Sequence, residues 1–148
     1  MNHEDYLKEA LKEAHKAAQK DEVPVGAVIV HQGKIIARGH NLRETKQSAL
    51  GHAELVAIAK ATKKLESWRL DQCTLYVTLE PCPMCAGALQ QCRIKQVYYG
   101  AADPKGGVES LGIAIHNNPR LNHRYEMTHL HSPECGNTLS EFFRKKRG

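Results

Sequence analysis

The chain has 148 residues, 41% of them hydrophobic and 25% charged, a balance that excludes a disordered polyelectrolyte and fits one domain, residues 1–148, with its own core. Its longest clear apolar run, Val25 to Val30, is far too short to span a membrane, and Met1 to Lys20 is too rich in Glu and Lys for a secretory leader. The net charge of +5 is unevenly placed: Arg144, Lys145, Lys146 and Arg147 supply four of the charges and leave +1 for the rest. Such a basic tail suits either a phosphate-rich partner or a solvated helix end whose cations face the helix dipole.

In chain order, Glu4 to Lys20 carries Leu7, Ala10, Leu11, Ala14, Ala17 and Ala18 on one stripe and is predicted as an amphipathic helix. Val25 to His31 and Lys34 to His40 are β-rich runs about Gln32-Gly33, which reads as a hairpin. Asn41 to Gly51 reads as a polar loop, His52 to Lys64 as a helix, Thr74 to Leu79 as a strand, Met84 to Gln91 as a helix and Gln96 to Tyr99 as a strand. Gly100 to Gly107 is rich in turn residues, Glu126 to Leu130 reads as a last strand, and Asn137 to Lys146 as a terminal helix. The alternation leaves room for one more helix before the last strand. It predicts an α/β fold, a three-layer α/β/α sandwich around a mixed sheet of about five strands, the later strands parallel.

The chemistry lies in His52-Ala53-Glu54 and, downstream, Pro81-Cys82-Pro83-Met84-Cys85. One imidazole and two thiolates make three ligands for a zinc ion. Three protein ligands leave the fourth tetrahedral position for water, the pattern of a catalytic site; a closed structural clip would need a fourth Cys or His at finger spacing. Thiolate ligands favour zinc, and iron could substitute. Pro83 suits a first helical position, which makes Cys82 the N-cap and puts both sulfurs at a helix N-terminus, where thiolate is favoured. Residues two apart on a regular helix face opposite ways, so His52 and Glu54 can share a pocket only if the helix begins at His52 or Ala53. Gly51 permits an irregular entry there. Glu54 is then the acid that carries protons between water, a ring nitrogen and a leaving amine. Five cysteines, an odd number with two in Cys-x-x-Cys, fit a reducing cytoplasm with a metal site better than a disulfide framework.

The arrangement H-x-E…P-C-x-x-C marks the zinc nucleobase deaminases. VPVGAV (Val23 to Val28), GHAE (Gly51 to Glu54), TLYVTLEPCPMCAGA (Thr74 to Ala88), GAADPKGG (Gly100 to Gly107), LNHR (Leu121 to Arg124) and EFFRKKR (Glu141 to Arg147) extend the likeness along nearly the whole chain. On these segments the chain resembles the family of bacterial tRNA-specific adenosine deaminases, in the cytidine/deoxycytidylate deaminase superfamily. The segment after Gly107, Val-Glu-Ser-Leu, departs slightly from the small residues expected there.

The resemblance implies a cytidine deaminase-like fold, a homodimer, one zinc ion per subunit held by His52, Cys82 and Cys85, and a tRNA anticodon stem-loop as substrate. It implies hydrolysis of the wobble adenosine to inosine, by attack of zinc-bound hydroxide at C6 with Glu54 as proton shuttle. Asn41 would hydrogen-bond the target nucleoside, or else simply close a strand; the backbone about Gly26-Ala27 would floor the pocket, or reflect close strand packing. Two other functions fit the motif: a free-base or nucleoside deaminase of guanine or cytosine type, and a non-catalytic zinc-stabilised tRNA-binding subunit.

Asp103 is either an acceptor for a ribose 2′-OH or an ordinary Asp-Pro turn residue. Lys105, Asn122, His123, Arg124, Arg144 and Arg147 are candidate RNA contacts. Of Phe142 and Phe143, one is expected in the core and one on the substrate groove. Cys73, Cys92 and Cys135 read as small buried apolar residues, and His116, His129 and His131 lack a ligand companion at metal spacing.

Overall fold

The computed structural model describes residues 1–147. Its elements are α1 (His3–Gln19), β1 (Gly26–His31), β2 (Lys34–His40), α2 (Arg43–Lys46), α3 (Ala53–Leu65), β3 (Cys73–Leu79), α4 (Pro83–Gln91), β4 (Gln96–Ala101), β5 (Glu126–His129) and α5 (Pro133–Arg147). Helix α1 starts on a capping box: Asn2 accepts from the Asp5 backbone and Asp5 from that of Asn2. The β1–β2 hairpin turns through Gln32 and Gly33, both at positive φ, as a two-residue turn matched to strand twist requires.

The five strands form one mixed sheet in the order β2-β1-β3-β4-β5. Strand β1 is antiparallel to β2 and β3, while β3, β4 and β5 run parallel. Alternation along the strands makes two cores. Ala27, Ile29, Leu75, Val77 and Val97 pack with Ala53, Ala57 and Ala61 of α3 and Leu89 of α4. Val28, Val30 and Tyr76 face Tyr6 and Ala10 of α1 on the other side, where Cys135 of α5 lies against Gly100 of β4. The result is the expected α/β/α sandwich. Gly39 and Gly26 set the layer spacing: a Cβ at Gly39 would meet the Ala53 carbonyl at 2.6 Å, and one at Gly26 the Ala10 carbonyl at 2.0 Å.

Three details differ from the sequence expectation. The polar loop after β2 contains α2, whose four residues bury no side chain and show no apolar period. Helix α5 begins at Pro133 rather than near Asn137, because Ser132 caps it through the Cys135 backbone and Cys135 is buried. Among the described residues no helix lies between β4 and β5; that segment holds Pro104, Gly106, Gly107, Gly112 and Pro119, which favour turns. No described helix is long and apolar enough to cross a membrane.

Candidate metal centre

The parallel arrangement brings the end of β3 and the start of α3 to one edge of the sheet. Leu79 leads into Glu80-Pro81, and Cys82 is the N-cap of α4 with Cys85 in its first turn. His52 is the N-cap of α3, with extended dihedrals of φ −88 and ψ 146. This non-helical entry lets His52 and Glu54 turn to the same side. Gly51 is needed there for room: a Cβ would meet the Arg43 backbone nitrogen at 2.8 Å. Since the His52 side chain makes no cap, Asn41 supplies one, its Oδ1 accepting from the Ala53 N–H at 2.9 Å.

His52 Nδ1 lies 3.7 Å from Cys82 Sγ and 3.5 Å from Cys85 Sγ. Zinc bonds of about 2.3 Å to sulfur and about 2.05 Å to nitrogen, set tetrahedrally, separate S from N by about 3.6 Å, so this donor set fits a zinc ion. The electrostatics agree in direction. Hydrogen bonding from the Cys85 thiol, with further help from His52, draws the Cys82 thiol down to about 4. The Cys85 thiol is pushed up by that same bond to the Cys82 sulfur and by burial, and it gives up its proton only to a cation. His52 is raised, chiefly by Cys82. Glu54 is 4% exposed, and burial lifts its carboxyl to about 7. A carboxyl poised near neutrality can both accept and return a proton. No other His, Cys or acidic cluster among the described residues gathers in this way.

The centre opens on a cavity of about 510 Å³. Its floor holds His52, Glu54 and Cys82; Asn41 and Arg43 form one wall, Asp103 another, and Leu139 and Phe143 of α5 close the side. A second groove, sharing Asn41, Arg43 and Phe143 with the cavity, continues past Lys20, Phe142 and Lys146. Lys146 pins the end of α5 to Asp21 at 2.6 Å. Phe143 therefore lines the cavity as expected of one of the pair, whereas Phe142 is half-buried beside it and not a core residue.

Of the other expected site residues, Asp103 reaches the cavity wall, yet its Oδ1 also accepts from the Gly106 N–H at 3.1 Å in a turn. Ala27 does not line the cavity: it is fully buried under α3, between Gly39 and Val77. Lys105 is exposed outside it. His123 donates from Nε2 to the Ile94 carbonyl at 2.7 Å, at the edge of the sheet where β4 starts, opposite the metal centre. Arg144 and Arg147 are exposed on α5, Arg144 pairing with Glu141 at 3.6 Å. Cys73, Cys92 and Cys135 are buried and free, as expected. His116 does have a companion in space, Glu109 at 3.4 Å, and His129 lies against His131 with the ring planes tilted by 30°.

Sequence reasoning missed Arg43, Glu22 and Glu80. Glu22 accepts from the Glu44 and Thr45 backbones and holds α2; Glu80 accepts from the Asp103 and Ser110 backbones and the Ser110 hydroxyl and holds the opposite wall. Burial alone would raise both carboxyls, but these donors outweigh it and hold them below the usual range. Only Glu80 leaves a signal in the sequence, a single acid between Leu79 and Pro81 at the end of an apolar run; Glu22, which follows Lys20 and Asp21, reads there as an ordinary loop acid.

The MafB19-like deaminase family matches residues 1–147. The tRNA-specific adenosine deaminase of Bacillus subtilis is 53% identical over 143 residues, which cover 96% of this chain and 89% of that protein. A solved structure from a study of A-to-I editing by tRNA:A34 deaminases at the wobble position superposes with a TM-score of 0.86 at 42% identity, covering 91% of this chain and 99% of that one. The guanine deaminase of Bacillus subtilis superposes at 0.67 with 35% identity, covering 100% and 96%. With likeness along essentially its whole length and the His52, Cys82 and Cys85 cluster in place, the chain belongs to the deaminase family that includes the bacterial tRNA-specific adenosine deaminases.

Proposed function

We propose that the protein hydrolyses adenosine to inosine at the wobble position of a tRNA anticodon, with release of ammonia. The observation that carries this reading is the meeting of His52, Cys82 and Cys85 at zinc-ligand separations beside a buried Glu54, on a cavity walled by Asn41. His52, Cys82 and Cys85 would hold one zinc ion per subunit, which when bound supplies an acidified water as nucleophile. Asn41 has its oxygen committed to the α3 cap and so offers its amide N–H groups to the base. Glu54 would carry one proton of the attacking water to N1 of the purine, then take the remaining proton from the hydroxyl added at C6 and give it to the C6 amine as the C6–N bond breaks and the C6=O bond forms. Leu139 and Phe143 exclude water and hold the ring of an extruded base. Arg43 and the Lys20–Lys146 groove take the flanking phosphates, with Arg144 and Arg147 on the same helix end.

A homodimer is part of this reading, supported by exposed Met84, Leu111 and Ile113 on a loop and helix start joined by the Val108 N–H to the Pro81 carbonyl. The buried, unbridged Cys73, Cys92 and Cys135 support a reducing cytoplasm. The likeness to guanine deaminase keeps one alternative open, deamination of a free purine base in the same cavity. The test of the proton carrier is Glu54→Gln. The variant retains one zinc per chain and binds RNA, while inosine formation falls about a hundredfold to ten-thousandfold. Undiminished turnover would remove Glu54 from the chemistry.

A further inference from the structure

Trp68 is 58% exposed, an unusual place for an indole. It sits on the loop between α3 and β3, and that loop is anchored: Leu70 is buried, its N–H donates to the Cys92 carbonyl at 2.7 Å, and the Ser67 hydroxyl accepts from the Arg69 N–H. The guanidinium carbons of Arg69 and Arg93 lie 5.3 and 5.7 Å from the centre of the Trp68 ring. Arg93 is itself fixed, donating to the Gln90 and Gln91 carbonyls at the end of α4, and it keeps further N–H groups free. Among the described residues Arg69 pairs with Asp71 at 4.0 Å, with both side chains about half exposed, so the pair is loose.

The loop bearing Arg120 and Arg124 packs on either side of Arg93, through Asn122 to Gln90 and His123 to the Ile94 carbonyl, and Lys95 is exposed beside it. An exposed indole on an anchored loop, with two guanidiniums against its ring and one of them held by backbone carbonyls, matches the chemistry of an unpaired base with its phosphates. This face lies at the edge where β3 and β4 begin, about 20 Å along the strands from the metal centre.

We propose that the Trp68–Arg93 face is a second RNA-contacting surface, which stacks one unpaired base on Trp68 and takes adjoining phosphates on Arg69, Arg93 and Lys95. It rests on the RNA reading above and adds to it a contact outside the catalytic cavity. The experiment is steady-state deamination of a full-length tRNA transcript by the zinc-loaded protein and by Trp68→Ala, Trp68→Phe and Arg69→Gln/Arg93→Gln, with zinc content and Tm checked for each. Trp68→Ala is expected to raise KM about tenfold with the loss confined to KM, and Trp68→Phe to recover most of it. Arg69→Gln/Arg93→Gln should lower the slope of log affinity against log salt by about 1.4.

Unchanged KM and salt slope in folded variants, with inosine formed by the wild type, would overturn this proposal alone. A shift in oligomeric state with RNA affinity intact would overturn it too, giving the face to a protein contact. No inosine from the wild type would instead bring down the RNA reading on which it rests.

Discussion

Gly107 and Glu80 show how tightly single positions are specified around the cavity. A Cβ on Gly107 would come within 2.1 Å of the Glu80 carboxyl carbon. A flexible side chain could ordinarily move aside, but this carboxylate is buried and holds the Ser110 hydroxyl at 2.6 Å and the Ser110 N–H at 2.8 Å. Gly107→Ala therefore breaks charge-assisted bonds in place, and is expected to cost about 2–3 kcal/mol in urea unfolding. Stability within about 0.5 kcal/mol of the wild type would mean that the Glu80 anchorage is easily replaced. Glu80 was invisible as an anchor in the sequence because its partners Asp103 and Ser110 are more than 20 residues away. The proposed zinc ligands, by contrast, sit in short runs whose spacing carries the meaning.

At the scale of elements, the boundaries that were legible are those set by local chemistry. Pro83 after Cys82 fixes the start of α4, and the conflict between helical spacing and a shared pocket fixes the start of α3. What local pattern does not contain is the long-range cap on α3 from Asn41, a residue twelve positions earlier. Two variants separate its roles. Asn41→Ala loses the cap and is expected to cost about 1 kcal/mol. Asn41→Asp keeps an acceptor for the Ala53 N–H and should hold its Tm, yet lose deamination because the amide donors are gone. Full activity in Asn41→Asp would remove Asn41 from base recognition and leave only the cap. The short α2 and the early start of α5 were illegible for a related reason: Glu22 holds the first and burial of Cys135 the second, both tertiary effects.

Across the molecule, the two walls of the cavity hang on buried carboxylates, and this sets an acid limit. Glu22 and Glu80 have folded pKa values below those of the unfolded chain. Their contribution is complete above the ordinary glutamate value of about 4.3 and is lost as pH falls through the folded values. Below about pH 4, Glu22→Gln should lose stability less steeply with acid than the wild type, in thermal unfolding compared at equal zinc. Equal slopes would show that Glu22 carries no such linkage.

Fold class and the parallel pairing of the later strands followed from alternation and connection rules, whereas the strand order and the placement of His123 and of Ala27 did not. The placement of His123 depends on which end of the parallel strands its loop reaches, and that of Ala27 on which face of β1 meets α3.

The central claim is that this metal centre acts on a base within an RNA and not on a free one. Its most direct test offers the zinc-loaded protein an anticodon stem-loop with adenosine at the wobble position, and separately free adenine, guanine and cytosine, while inosine and ammonia are followed. The account predicts inosine at that one position and no ammonia from the free bases. Ammonia from guanine with the RNA unchanged would contradict it and assign the same zinc ligands and Glu54 to a free-base deaminase.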